Sequence, residues 1–199
     1  IYLGNSKEQF QALGSMRIQL RLDENASYQA EDYGVAVDIG TTTLAFALLK
    51  RQTGKVIDVY TMVNHQRSYG ADVISRIQAA NGQNGKKLTT CILTDIKNGF
   101  HILQKRNPQK KISSVVIAGN TVMMHLLRGY SCLGFTKYPF TKISLDMEEL
   151  SFAKLLSQAD DVKAEVVKSD IEDISVTILP GISAFVGADI TAGIFVCDM

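Results

Sequence analysis

Gly34-Val35-Ala36-Val37-Asp38-Ile39-Gly40-Thr41-Thr42-Thr43 is the stretch that decides the fold of this chain. Its first seven residues are almost continuously apolar, the composition of a central strand covered on both faces. Asp38 breaks the run near its end. A carboxylate inside an apolar strand is costly unless it is paired or lies near a cation, and ligands gather at the carboxyl ends of strands in α/β sheets. Gly40 permits a tight turn and close backbone approach. Thr41, Thr42 and Thr43 add three hydroxyls and consecutive amide donors, and a turn of such donors forms a concave anion site. A carboxylate repels phosphate directly but accepts it through Mg²⁺. The arrangement suits a nucleoside triphosphate; the plain alternative is an Asp that caps its own hairpin turn.

Working outward, Leu44 to Leu49 reads as a second strand, Gln52-Thr53-Gly54 as a turn and Lys55 to Val63 as a third strand, an antiparallel meander. The period then changes. Val73, Ile74, Ile77 and Ala80 fall on one helical face, and Leu88, Ile92, Ile96 and Leu103 continue it in a longer helix, Lys86 to Arg106, stopped by Asn107-Pro108. Ile112 to Ala118 is another buried strand. Asn120 can cap a helix through Leu127, with Gly129 closing it. Tyr138-Pro139-Phe140 is a loop, Glu148 to Gln158 is expected to be a helix, and Ala164 to Lys168 a short strand. Ile174 to Leu179 is a strand ending at Pro180-Gly181. Ser183 to about Val196 reads as a helix rich in small residues (Ala184, Gly187, Ala188, Ala192, Gly193), where the glycines suggest close approach by another backbone. The order strand, strand, strand, helix, strand, helix, strand, helix is that of a ribonuclease-H-like α/β lobe with a mixed sheet. It is not the alternation of a Rossmann fold.

Ahead of this unit, Arg17 to Leu22 alternates like a half-buried strand and Asp23 to Asp32 reads as a linker, so residues 1–33 are an arm or the tail of a preceding domain. The first residue is not Met and the chain stops after an apolar segment at Cys197-Asp198-Met199, which points to a piece of a longer protein. With 46% apolar and 21% charged residues, usage is that of an ordinary globular domain, large enough to need neither disulfides nor a metal for its core. A net charge of +1, with scattered Lys and Arg, argues against nucleic-acid or membrane partners. No apolar run reaches the roughly 20 residues of a membrane helix. Cys91, Cys132 and Cys197 form neither a cluster nor a disulfide pattern and read as free thiols in a reducing cytoplasm. Asn25-Ala26-Ser27 is a chance sequon in that setting. His65, His101 and His125 show no ligand spacing and read as structural.

The run Asp38 to Thr43 resembles the first phosphate motif of the superfamily of actin, sugar and acetate kinases and heat-shock chaperones. Further along, Asn64-His65-Gln66, Tyr69-Gly70-Ala71-Asp72-Val73-Ile74-Ser75-Arg76-Ile77, Ala118-Gly119-Asn120-Thr121-Val122-Met123, His125-Leu126, Pro139, and Leu179-Pro180 through Phe185-Val186-Gly187-Ala188-Asp189 together resemble the reductive activators of corrinoid proteins. The match covers about residues 34–199.

That resemblance implies the first lobe of an actin-like ATPase domain over 34–199, in a protein that uses ATP to drive reduction of Co(II) corrinoid to Co(I). The implied partner is the corrinoid protein of a methyltransferase system, and a homodimer is implied as well. The implied cofactors are ATP and Mg²⁺, with a 2Fe–2S cluster in the full-length protein but not in this chain, which lacks the cluster cysteines. Asp38 and Asp189 take catalytic roles, Asp38 toward Mg²⁺ through water and Asp189 toward the attacking water. Gly40, Thr41, Thr42, Thr43, Gly119 and Asn120 bind nucleotide. Asn120 has a plain reading as a helix cap, Asp189 as a structural polar contact, and Gln66, Asp72 and Arg76 line the cleft, a partner surface or, for Arg76, a solvated helix face. The chain also ends before the second lobe, with its second phosphate motif and adenosine site, so alone it is expected to turn over little ATP. Rival readings are a small-molecule kinase of the same superfamily and a non-catalytic, nucleotide-gated interaction module.

Overall fold

The computed structural model describes residues 32–159, 174–184 and 186–190. The expectations for the strand at 17–22, the sequon, the strand at 164–168, Cys197 and the far end of the last helix lie outside these residues.

Three strands open the fold: β1 (Asp32–Ile39), β2 (Thr43–Lys50) and β3 (Lys55–Val63), each antiparallel to the one before. Helices α1 (Val73–Ala79) and α2 (Gly85–Arg106) cross over to β4 (Lys111–Gly119), which pairs parallel to β1. Helix α3 (Thr121–Leu127) follows. A strand β5 (Glu148–Ser151) and a short helix α4 (Phe152–Leu156) precede β6 (Ser175–Ile178), which pairs parallel to β4 and antiparallel to β5. The sheet order is β3-β2-β1-β4-β6-β5. The mixed α/β lobe is thus the one read from the sequence, with one edge strand added.

One face of the sheet carries the core. Val37 is paired with Phe46 and Ile117, and Ile117 with Ile178, so these side chains share a face. Leu88, Ile92, Ile96 and Leu103 of α2 are fully covered, as the spacing required. The opposite face presents small side chains: Ala36 aligns with Ala47 and Val116, and Val116 with Thr177. A hollow of about 450 Å³ lies along it, lined in part by Gly34, Ala36, Ser114, Val116 and Thr177. Among the described residues β1 is therefore packed on one face, not two.

Three local readings are corrected. Glu148 to Gln158 is a strand and then a short helix, because Leu150 pairs with Val176 at the sheet edge and this overrides helical propensity. Ile74 points outward at 69% exposure, whereas Arg76, read as cleft, partner surface or solvated face, is fully buried. Residues 182–184 are bends and helix begins only at Ala188, so the small residues at 184 and 187 belong to a turn.

Candidate functional site

The register of β1 sets the position of Asp38. Its neighbours Val37 and Ile39 point into the core, and Asp38 alternates to the other face, where its lateral partners are Ala45 and Ala118. Two methyl groups leave the carboxylate standing clear and exposed, not buried as an apolar strand implied. Partial desolvation raises its pKa above the usual carboxylate value, and the charge of Asp189 adds to the rise. Asp189 comes from the segment after β6, so two carboxylates far apart in sequence act on each other at the carboxyl ends of the parallel strands.

The turn that follows is held from inside. The Gly40 amide donates to the Thr43 carbonyl at 3.0 Å, and a Cβ on residue 40 would stand 2.6 Å from that same oxygen. The three carbonyls of the turn each have a partner. Asn64 Nδ2 donates to Gly40 O at 2.9 Å, the Arg76 guanidinium donates to Thr41 O, and the Asn64 amide donates to Thr42 O at 2.9 Å. With its carbonyls taken, the turn leaves the amides of Thr41 and Thr42 without an acceptor among the described residues. Thr42 and Thr43 are exposed and Thr41 is partly covered. Two adjacent amides of one turn are thereby left available as donors.

The inner partners are themselves anchored. Asn64 is fully buried, and its Oδ1 accepts from the Gln66 amide at 3.0 Å. Gln66 donates to Leu88 O of α2. His65 binds the buried Asp95 twice, through its amide at 2.9 Å and through Nδ1 at 2.7 Å. Arg76 also donates to Gly70 O at 2.9 Å and reaches Met123 Sδ at 3.2 Å. Asp72 caps α1, accepting from the Ser75 amide at 2.8 Å. The polar triplet Asn64-His65-Gln66, which the sequence offers only as part of a resemblance, thus anchors the turn and the end of β3 to α2. The available signal was three polar residues placed where an apolar strand ends.

Asn120 lies beside the turn, with Nδ2 3.4 Å from Thr41 Oγ1, and it caps α3 by accepting from the Met123 amide at 3.1 Å. Gly119 is wedged against β1; a Cβ there would meet Ile39 O at 2.9 Å. Thr121 Oγ1 donates to Ser183 O at 2.8 Å, tying the segment after β6 to α3. The fold thus brings Asp38, residues 40–43, Gly119, Asn120 and Asp189 to one end of the sheet.

His125 stands apart from this group. It is fully buried, its Nδ1 donates to Thr121 O at 2.9 Å, and its Nε2 accepts from the Ile143 amide at 3.2 Å. Burial lowers its pKa, so it is a neutral structural histidine. The thiols of Cys91 and Cys132 are pushed up to about 11, chiefly by burial. A groove of about 1330 Å³ between the α1–α2 elbow and the segment after α3 contains none of the site residues.

A family model described as RACo middle region matches residues 33–199. A curated protein, the corrinoid activation enzyme RamQ of Eubacterium limosum, is 29% identical over 168 residues, covering 80% of this chain and 26% of its own length. A solved structure described as a reductive activator for corrinoid, iron-sulfur protein aligns with a TM-score of 0.69 at 31% identity, over 84% of this chain and 26% of that one. The chain spans about a quarter of the length of each of these relatives.

Proposed function

The chain belongs to the RACo middle-region family, and from this and the geometry around Asp38 we propose that it is the phosphate-binding lobe of an ATP-dependent reductive activator of a corrinoid protein. In this reading residues 34–199 are the first lobe of an actin-like domain. Residues 1–33 join it to a preceding domain, and a second lobe elsewhere in the protein supplies the rest of the nucleotide site. The protein is cytoplasmic, forms a homodimer and drives Co(II) corrinoid to Co(I). Among the described residues no helix is long and apolar enough to cross a membrane.

The observation that carries the reading is the conjunction at one sheet end: a clear-standing carboxylate, a second carboxylate that perturbs it, and a turn whose carbonyls are all engaged from within. This donor set fits Mg²⁺–ATP. The amides of Thr41 and Thr42 and the threonine hydroxyls would bind phosphate oxygens, Asn120 would flank them, and Asp38 would hold the metal through water. Mg²⁺ supplies neutralisation of the polyphosphate charge. Asp189 accepts a hydrogen bond from the attacking water and orients it. A 2Fe–2S cluster does not fit the described thiols: Cys91 and Cys132 lie on different elements, and their raised pKa opposes the thiolate form a cluster needs. Any such cluster belongs to another part of the protein.

The test is Asp38→Asn in the intact protein. Mg²⁺–ATP hydrolysis should fall at least about 100-fold, the scale of losing one preorganised electrostatic group, with little change in melting temperature because the side chain is exposed. Hydrolysis at the wild-type rate would remove the assignment. Reduction of a corrinoid protein by a low-potential donor, with and without ATP, tests the wider role.

A further inference from the structure

Arg76 is the largest fully buried side chain in the described lobe. Buried charges are ordinarily paired with an opposite charge, yet none of the ion pairs among the described residues includes it. Its bonds go to the carbonyls of Gly70 and Thr41 and to a thioether sulfur, a weak acceptor. Asp72 lies close enough to influence it, but that carboxylate is engaged by the Ser75 amide and hydroxyl. A guanidinium stays protonated in proteins. The lobe therefore carries a buried positive charge against Thr41, in the turn whose Thr41 and Thr42 amides have no acceptor among the described residues.

We propose that Arg76 is the electrostatic positioning residue of this turn, its buried charge being neutralised by a polyphosphate anion bound on the other side. The inference rests on the nucleotide reading and makes it more specific. The arginine does not touch the anion. It acts through Thr41, whose carbonyl it draws inward, and through its field, which favours ligands in order of phosphate charge. A triphosphate should gain most, a diphosphate less and an uncharged nucleoside nothing. Because the charge is buried, ordinary salt screens it weakly.

Two measurements on the intact protein test this. The first is calorimetric titration with Mg²⁺–ATP, ADP, adenosine and inorganic tripolyphosphate, for wild type, Arg76→Met and Arg76→Lys. Opposite unit charges separated by about 8 Å at an effective dielectric near 20 interact enough for a roughly ten- to thirtyfold change in affinity. Arg76→Met should lose about that much for ATP and tripolyphosphate, less for ADP and none for adenosine, and Arg76→Lys should recover part of it. The second needs no variant: the Arg76 Nε–H resonance, assigned through its own side-chain correlations, should shift on adding tripolyphosphate and stay still on adding adenosine. A folded Arg76→Met protein with wild-type triphosphate affinity, or a tripolyphosphate complex that leaves the resonance unmoved, overturns the proposal and leaves the nucleotide reading standing. A wild-type protein that binds neither ATP nor tripolyphosphate overturns both.

Discussion

Gly187 lies directly against Asn120: a Cβ built on the glycine would stand 2.5 Å from the Asn120 Cα and 2.5 Å from the Thr121 amide nitrogen. The segment after β6 passes the start of α3 backbone to backbone, and this contact delivers Asp189 to the side of the sheet where Asp38 stands. Gly187→Ala should therefore destabilise the lobe by about 1–3 kcal/mol, the usual cost of overpacking, and slow Mg²⁺–ATP hydrolysis at the same time. Denaturant melts and a turnover assay on one preparation check both. Loss of stability with wild-type hydrolysis in the folded fraction would show that Asp189 reaches its place by another route.

Asn64 closes the other side. Removing its side chain strips a donor from Gly40 O and an acceptor from the Gln66 amide. Leaving buried groups unpaired costs about 1–3 kcal/mol, so Asn64→Ala should melt earlier by that amount. The fingerprint of the change in an amide spectrum should centre on residues 40–43 and 64–66. Shifts spread evenly over the lobe would count against a specific clasp.

Ile96 is fully covered where α2 crosses the sheet. Ile96→Ala should cost about 2–5 kcal/mol and Ile96→Val about 0.5–1.5 kcal/mol. A melting temperature unchanged in Ile96→Ala would mean the packed face of α2 is wrongly placed.

His125 carries a pH signature. Its folded pKa lies below the ordinary histidine value of 6.5, mainly from burial. Below pH 6.5 the unfolded chain binds a proton that the folded one resists, so stability is full above that pH and is lost as pH falls through the window beneath it. The slope from one such group reaches at most about 1.4 kcal/mol per pH unit. Melting curves between pH 7.5 and pH 5 should show the decline, and a folded His125→Gln variant should show less of it. Equal slopes for the two proteins would assign the decline to other groups.

The meander, α2 and β4 were legible because each repeats one period over enough residues for the pattern to be unambiguous. Asp38 and the threonine turn were legible because a carboxylate, a glycine and three hydroxyls at a strand end share one chemistry. Leu150 was misread because a short run of Glu148-Glu149-Leu150 has no period of its own, and its pairing with Val176 is supplied by a strand more than 20 residues later. Arg76 was illegible for a different reason. Nothing at its own position in α1 marks it as buried; its acceptors are carbonyls at residues 41 and 70, which every sequence offers everywhere. Asp95, which receives the His65 loop, was hidden likewise inside an amphipathic helix.

The mooring of residues 40–42 has a consequence for motion. Their three carbonyls are tied to side chains and backbone at positions 64 and 76, so the turn cannot fray alone; releasing it means detaching the end of β3 and the start of α1 together. In hydrogen-exchange terms the Gly40 amide should belong to the same cooperative unit as the sheet, exchanging by near-global opening, not by the shallow openings common in ligand-gating loops. On the nucleotide reading proposed above, this turn is the stationary wall against which bound phosphates rest.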